Sequence, residues 1–272
     1  MRSETFETPG PLTLRVRVSS AELDLETWER PTTLVEIDGN SELVDAFTLA
    51  LHDRPGGQEV LIEDPKSRVR GFSFRGGRAS VRVWCPEGAA LTAVTGSADV
   101  NATGTLGPVE VKSGSGDVTL QGAAAALRVT SASGDVSAQR VTGAASVATA
   151  SGDIDLGVVE GSVTLNAVSG DVTLRDARAG AVVESVSGDV TIEAVGGGDI
   201  RAQTVSGDVR IGVATGTAVW IDASSVSGDL ESQLEVEDRL PDGDDPASPV
   251  HELRVRTVSG DALLARGLTT RS

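Results

Sequence analysis

An all-β fold is predicted: a parallel β-solenoid with coils of about 18 residues, preceded by an N-terminal antiparallel β-rich capping region. Three observations predict it. The tetrapeptide Ser-Gly-Asp-Val, or a close variant, recurs along most of the chain, and the aspartates Asp117, Asp135, Asp153, Asp171 and Asp189 each follow the last by 18 residues. Apolar residues stand at fixed offsets from each aspartate. Glycine is abundant at 32 residues, while aromatics make up only 3% and there is no tyrosine.

The repeat extends beyond its regular part. Asp99, in the degenerate "GSADV", continues the series one step backwards, and Asp208, Asp229 and Asp261 continue it forwards with steps of 19, 21 and 32. One residue after each aspartate stand Val118, Val136, Ile154, Val172, Val190 and Val209. Three after it stand Leu120, Ala138, Leu156, Leu174, Ile192 and Ile211. Six before it stand Val129, Val147, Leu165, Val183 and Ala202. The intervening residues are mostly polar, and period-2 alternation marks a strand with one face buried. Gly143, Gly161, Gly180 and Gly197 recur about half a repeat later and mark a second turn. Each repeat therefore reads strand, turn, strand, turn. A unit this small cannot bury its own apolar face, but stacked on copies of itself it can. At roughly 4.8 Å per coil, about nine coils give a rod on the order of 45 Å long. A narrow interior of Val, Ile, Leu and Ala accounts for the scarcity of aromatics.

The corner residues are Gly116–Asp117, Gly134–Asp135, Gly152–Asp153, Gly170–Asp171, Gly188–Asp189, Gly207–Asp208, Gly228–Asp229 and Gly260–Asp261. Glycine supplies the positive φ of a tight corner, and aspartate can bond the backbone two residues on. These pairs are expected to be structural turns.

Residues 1–90 lack the repeat and read as the β-rich cap, and residues 91–272 read as the solenoid. "LTLRVRV" (12–18), "AELDLETW" (21–28) and "TTLVEID" (32–38) alternate like strands, with Pro31 breaking the chain before the third. "SELVDAF" (41–47) reads as a short helix capped by Ser41, with Glu42 in its first turn. "TLALH", "EVLIED" and "ASVRVWC" complete an antiparallel set that is expected to cover the solenoid's first open edge. Near the other end, residues 235–252 break the period and read as an exposed acidic loop. "LRVRTVSGDALLA" then completes a last coil, which explains the 32-residue step.

The formal charge of −17 argues against nucleic-acid binding, which needs a basic surface. No stretch approaches 18 apolar residues, so no membrane insertion is expected. The N-terminus holds no run resembling a signal-peptide core, and the lone Cys85 cannot form an intrachain disulfide. The expected location is cytoplasmic.

Stacked carboxylates one coil apart repel by about 0.9 kcal/mol in water, and calcium would relieve this. Asp117, Asp135, Asp153, Asp171 and Asp189 are therefore the candidate metal ligands. Calcium-binding β-rolls, however, repeat their aspartate every nine residues behind a glycine pair, which this chain does not. Turn chemistry is the preferred reading of the row. No cofactor motif is present, and none is expected. For catalysis only His52, His251 and Cys85 are available beside turn serines, and no triad or paired-carboxylate site stands out. The expectation is a protein that is not an enzyme.

Charge is uneven. Residues 61–84 hold six basic residues (Lys66, Arg68, Arg70, Arg75, Arg78 and Arg82) against Glu63 and Asp64. Residues 229–245 hold eight acids and one arginine. Attraction between the two would give a homo-oligomer, head to tail.

The repeated "SGDV", together with "FETPGPLTLRVRV", "TGSADV" and "GTAVWIDASSVSGDL", resembles bacterial β-strand-repeat proteins grouped as putative adhesins, domain of unknown function 4097, in their actinobacterial form. The resemblance covers nearly the whole chain and is most specific over 94–265. It implies a β-solenoid and brings no catalytic residues. Two expectations follow for function. One is a rigid interaction scaffold for a protein or glycan partner, and the other is a self-assembling structural protein. Exposed Trp28 or Trp220 would serve binding.

Overall fold

The computed structural model describes residues 1–65, 79–215, 217–234 and 251–266. Lys66, Arg68, Arg70, Arg75, Arg78 and the acidic loop over 235–250 lie outside the described residues. The chain divides into two compact units, Met1–Thr142 and Gly143–Ser272.

The first unit comprises β1 (Arg2–Glu7), β2 (Leu12–Val18), β3 (Glu22–Trp28), β4 (Thr32–Asp38), α1 (Ser41–Asp45), β5 (Thr48–Arg54), β6 (Gly57–Glu63), β7 (Ser80–Pro86), β8 (Ala90–Thr95), β9 (Val100–Ser113), β10 (Val118–Ser131) and β11 (Val136–Val141). Two parallel rows run through it. In one, β6 pairs with β2, β2 with β8, β8 with the later half of β9, and that half with the later half of β10. In the other, β7 pairs with β3, β3 with the start of β9, and the start of β10 lies between β9 and β11. β2, β3, β6 and β7, expected to belong to an antiparallel cap over 1–90, instead stand parallel in these rows, because their alternating columns stack in register with β8 and β9. The antiparallel strands are β5, which pairs with β6, and β1 and β4, with β4 lying between β1 and β7. They end both rows with strands of the opposite direction. The first strands of the repeat in sequence, β2 and β3, are therefore not the first in space, because β6 and β7 arrive later and cover them.

The helix α1 forms where expected, but its cap is Asn40 rather than Ser41. Asn40 is extended (φ −62°, ψ 135°) and its side chain accepts the Glu42 N–H at 3.1 Å. In the same unit Glu59 is buried between Arg54 and Arg15, at 2.9 and 3.0 Å. The bond from Arg54, with Arg15 adding to it, outweighs burial and holds the Glu59 carboxyl below its ordinary range.

The second unit comprises β12 (Ala145–Thr149), β13 (Ile154–Val159), β14 (Val163–Ser169), β15 (Val172–Ala177), β16 (Ala181–Ser187), β17 (Val190–Val195), β18 (Ile200–Ser206), β19 (Val209–Val213), β20 (Val219–Ser227), β21 (Leu230–Ser232), β22 (His251–Ser259) and β23 (Ala262–Arg266). One sheet runs β12–β14–β16–β18–β22–β20 and the other β13–β15–β17–β19–β23–β21, all parallel. The regular coils are in 18-residue register, such as Val163 with Ala181 and Val172 with Val190. The solenoid expected from the repeat is the observed fold.

The inner columns are the predicted ones. Leu156, Leu174, Ile192, Ile211 and Leu264 stack in register and are buried, as are Val147, Leu165, Val183, Ala202 and Val255 in the facing sheet.

The coil 251–266, expected to close the stack, lies one place inside it, between the coils of β18–β19 and β20–β21. The physical reason is legible in its columns. Leu253, Val255, Ala262 and Leu264 fill the interior completely and need neighbours on both sides. The coil 219–232 places Ala223 opposite Val255 and Ser232 opposite Leu264, and can better tolerate the end of the stack.

Candidate functional site: the repeat corner and the end of the stack

Each Ser-Gly-Asp corner is held by a bond that reaches the next coil. Asp99 Oδ1 accepts the Asp117 N–H at 3.0 Å, and Asp117 Oδ1 accepts the Asp135 N–H at 2.9 Å. In the second unit the same ladder runs from Asp153 to Asp171, Asp189, Asp208, Asp261 and finally Asp229, at 2.8–3.0 Å. The partner expected two residues on is thus replaced by one a full coil away. The bond exists because stacking brings each N–H to the preceding carboxylate. A second, shorter version stands at the opposite corner, where Asp199 Oδ1 accepts the Glu252 N–H at 2.9 Å.

The glycines are equally committed. Gly188 has φ +150°, and a Cβ there would lie 2.1 Å from the carbonyl oxygen of Gly170. Gly207 repeats the arrangement on Gly188, and Gly260 on Gly207. Buried hydroxyls complete the corner: Ser113 Oγ accepts the Gly116 N–H at 3.0 Å, and Ser131 Oγ accepts the Gly134 N–H at 2.9 Å.

With one oxygen of Asp99, Asp117, Asp153, Asp171, Asp189, Asp208 and Asp261 engaged by backbone, the aspartates carry charge outward at coil spacing. Arg210 answers part of it, 3.0 Å from Asp208 and 3.5 Å from Asp189. Among the described residues no group of three or more His, Cys, Asp or Glu side chains is arranged to hold a metal ion. The candidates Asp117, Asp135, Asp153, Asp171 and Asp189 form single-file ladders rather than a cluster.

Cys85 lies fully buried on β7, and burial pushes its thiol up to about 12, so the reactive thiolate is suppressed. His52 stands on β5 and His251 on β22. Trp28 stacks on Trp84 with centroids 6.5 Å apart and donates to the Thr32 carbonyl, which is packing rather than presentation. Trp220 is different, being 53% exposed.

One feature of the motif was not anticipated. Three residues before the aspartate, the alternation points outward, yet the second unit places valine there in five coils. Val168, Val186, Val205 and Val258 are 47–52% exposed, and Val226 is 82% exposed. The flanking residues fix their order in space as 168, 186, 205, 258, 226, because Ser187 pairs with both Ser169 and Ser206, and Ser259 with both Ser206 and Ser227. The corresponding positions of the other motif coils are Gly96, Gly114, Ala132 and Ala150. The signal lay in the sequence, as an apolar residue on the polar parity of a strand.

A two-sheet parallel solenoid with ladder-bonded corners and an exposed apolar row defines a β-strand-repeat protein. The chain belongs to the family described as Toastrack DUF4097, whose model matches residues 56–213, more than half its length. It is similar in fold to the crystal structure of a protein from Parabacteroides distasonis named as a putative lipid binding protein. That likeness has 17% identity, covers 96% of both chains and has a TM-score of 0.55. A putative adhesin from Parabacteroides merdae is also similar, with 12% identity, 97% of this chain and 95% of the other covered, and a TM-score of 0.47. No curated protein matches the chain. Among the described residues no helix is long and apolar enough to cross a membrane.

Proposed function

We propose that this protein is a non-catalytic interaction scaffold, acting in the cytoplasm, whose contact surface for a protein partner is the outward valine row of its second unit. The observation that supports this is the in-register exposure of Val168, Val186, Val205, Val258 and Val226. Together they offer on the order of 400 Å² of apolar side chain, comparable to the largest apolar patch of a typical monomer. Their solvation is costly. A valine row favours a protein over a glycan, because it is aliphatic and offers a sugar neither aromatic faces nor hydrogen bonds. Asn166, Glu184, Gln203 and Arg256 stand two residues before successive valines and supply a mixed polar rim.

The test is site-specific photo-crosslinking in the cells that make the protein. A crosslinker replacing Val186 is expected to give a discrete adduct that disappears when Val168 and Val205 are changed to serine. The same group at Arg128, exposed on β10, is expected to give none. Adducts of equal yield from both positions, or from neither, would refute the proposal.

A further inference from the structure

We infer that the end coil of the second unit is a self-complementary edge that pairs with the same edge of a second copy to make a closed dimer. Among the described residues β20 pairs on one side only, with β22, and β21 only with β23. Among the described residues the other side of β20 is an open edge, and its chemistry specifies its occupant.

The His251 N–H donates to the Ala218 carbonyl at 3.1 Å, so from Ala218 to Ser224 the even-numbered backbone groups face β22; the phase changes before Ser227, whose carbonyl accepts the Gly260 N–H at 3.1 Å. Those of Val219, Ile221 and Ala223 therefore face the open edge. The register with Leu253 and Val255 turns the Ile221 and Ala223 side chains inward. Trp220, Asp222, Ser224 and Val226 consequently point outward, the first and last exposed by 53% and 82%.

Suppose a second copy adds antiparallel about a two-fold axis through Ala223. Trp220 then faces the partner's Val226, and Val226 faces the partner's Trp220. Aromatic with β-branched is a favourable cross-strand match. Asp222 faces the partner's Ser224, so no like charges are opposed. The registers one step to either side fail. Centring on Asp222 sets it against the partner's Asp222, and centring on Ser224 sets Asp222 against the partner's Val226. A half-residue shift would join inward faces to outward ones. The same axis lays β21 antiparallel to its counterpart. That covers Leu230, which occupies the inward column of Val209 and Ala262 yet is 48% exposed.

An isologous contact of this kind closes at two copies. A coil end about 30 Å long and about 10 Å deep is smaller than the roughly 800 Å² per partner of a standard interface. The dimer is therefore concentration-dependent. Because each copy carries a net charge of −17, salt strengthens it by screening repulsion. Salt would weaken a head-to-tail contact between basic and acidic segments.

Sedimentation equilibrium of the full chain across concentration and salt tests this. The expected result is a monomer–dimer equilibrium, shifted to dimer by salt, with no larger species. Ala223→Pro removes an N–H that β20 does not use internally, and proline is tolerated on an edge strand facing solvent. Ser224→Asp sets like charges opposite each other. Each is expected to raise the dimer dissociation constant at least about tenfold without changing the melting temperature. Ser224→Lys, facing the partner's Asp222 twice, is expected to lower it. Monomer under all conditions, growth beyond dimer, or a dimer indifferent to Ser224→Asp and Ser224→Lys would overturn the inference. The Ser224 variants decide the matter even if the proline variant fails to fold.

Discussion

Gly188→Ala is expected to destabilise the protein by at least about 3 kcal/mol, a fall in melting temperature of roughly 6–12 °C. Two costs add. The backbone at Gly188 has φ +150°, a region that residues with a Cβ rarely adopt. The new Cβ would also sit 2.1 Å from the Gly170 carbonyl oxygen and 2.7 Å from its carbon. That carbonyl belongs to the stacked corner below, so relief requires separating two coils. Doing so would break the bond between Asp171 Oδ1 and the Asp189 N–H. Gly10→Ala is the matched control, with nothing within 4 Å and no positive φ. It is expected to change stability by less than about 0.5 kcal/mol. Circular-dichroism melts of both variants, run beside the parent, make the comparison.

Leu174→Ala is expected to cost about 3–5 kcal/mol. Leu174 is fully buried between Leu156 and Ile192 in one inner column. In a globular core part of such a cavity is recovered by collapse. Here the coils above and below are held at hydrogen-bonding distance by the parallel ladders, so little can be recovered. Leu230→Ala, in a neighbouring inward column but in the half-exposed end coil, is expected to cost less than about 1.5 kcal/mol. Urea unfolding of the two variants provides the measurement, and equal costs would mean that position in the stack does not matter.

Much of the fold was legible because a solenoid writes its periodicity directly into the chain. The 18-residue spacing placed the corners, and parity placed Val172, Leu174, Val190 and Ile192 inside, where they are buried. The order of the coils was not legible. A parallel stack offers every coil the same register, so no local signal says that β22 lies between β18 and β20, or β2 between β6 and β8. Only the weaker inner columns at Ala223 and Ser232 hint that their coil stands at the end. The cap of α1 was ambiguous for a simpler reason: Asn40 and Ser41 are both good caps, and the extended backbone at Asn40 decides.

The candidate site was less legible than the fold. Turn chemistry explained the aspartates by local bonds, whereas their acceptors serve an N–H 18 residues away in the regular coils. Such a bond exists only after stacking. The valine row is less legible because the inward columns carry the regular apolar period, and an apolar residue on the outward parity adds no period of its own. Val168, Val186 and Val205 are visible in the sequence once the two parities are read separately.

The central claim is that the repeated aspartate is a structural acceptor for the next coil and not a metal ligand. The most direct measurement is the thermal melt of an Asp171→Asn/Asp189→Asn variant against the parent, each with excess calcium and again with chelator. An asparagine oxygen can accept the same N–H bonds. The variant is therefore expected to match the parent within about 0.5 kcal/mol, with neither responding to calcium. A parent stabilised by calcium, beside a variant that calcium leaves unchanged, would contradict the account.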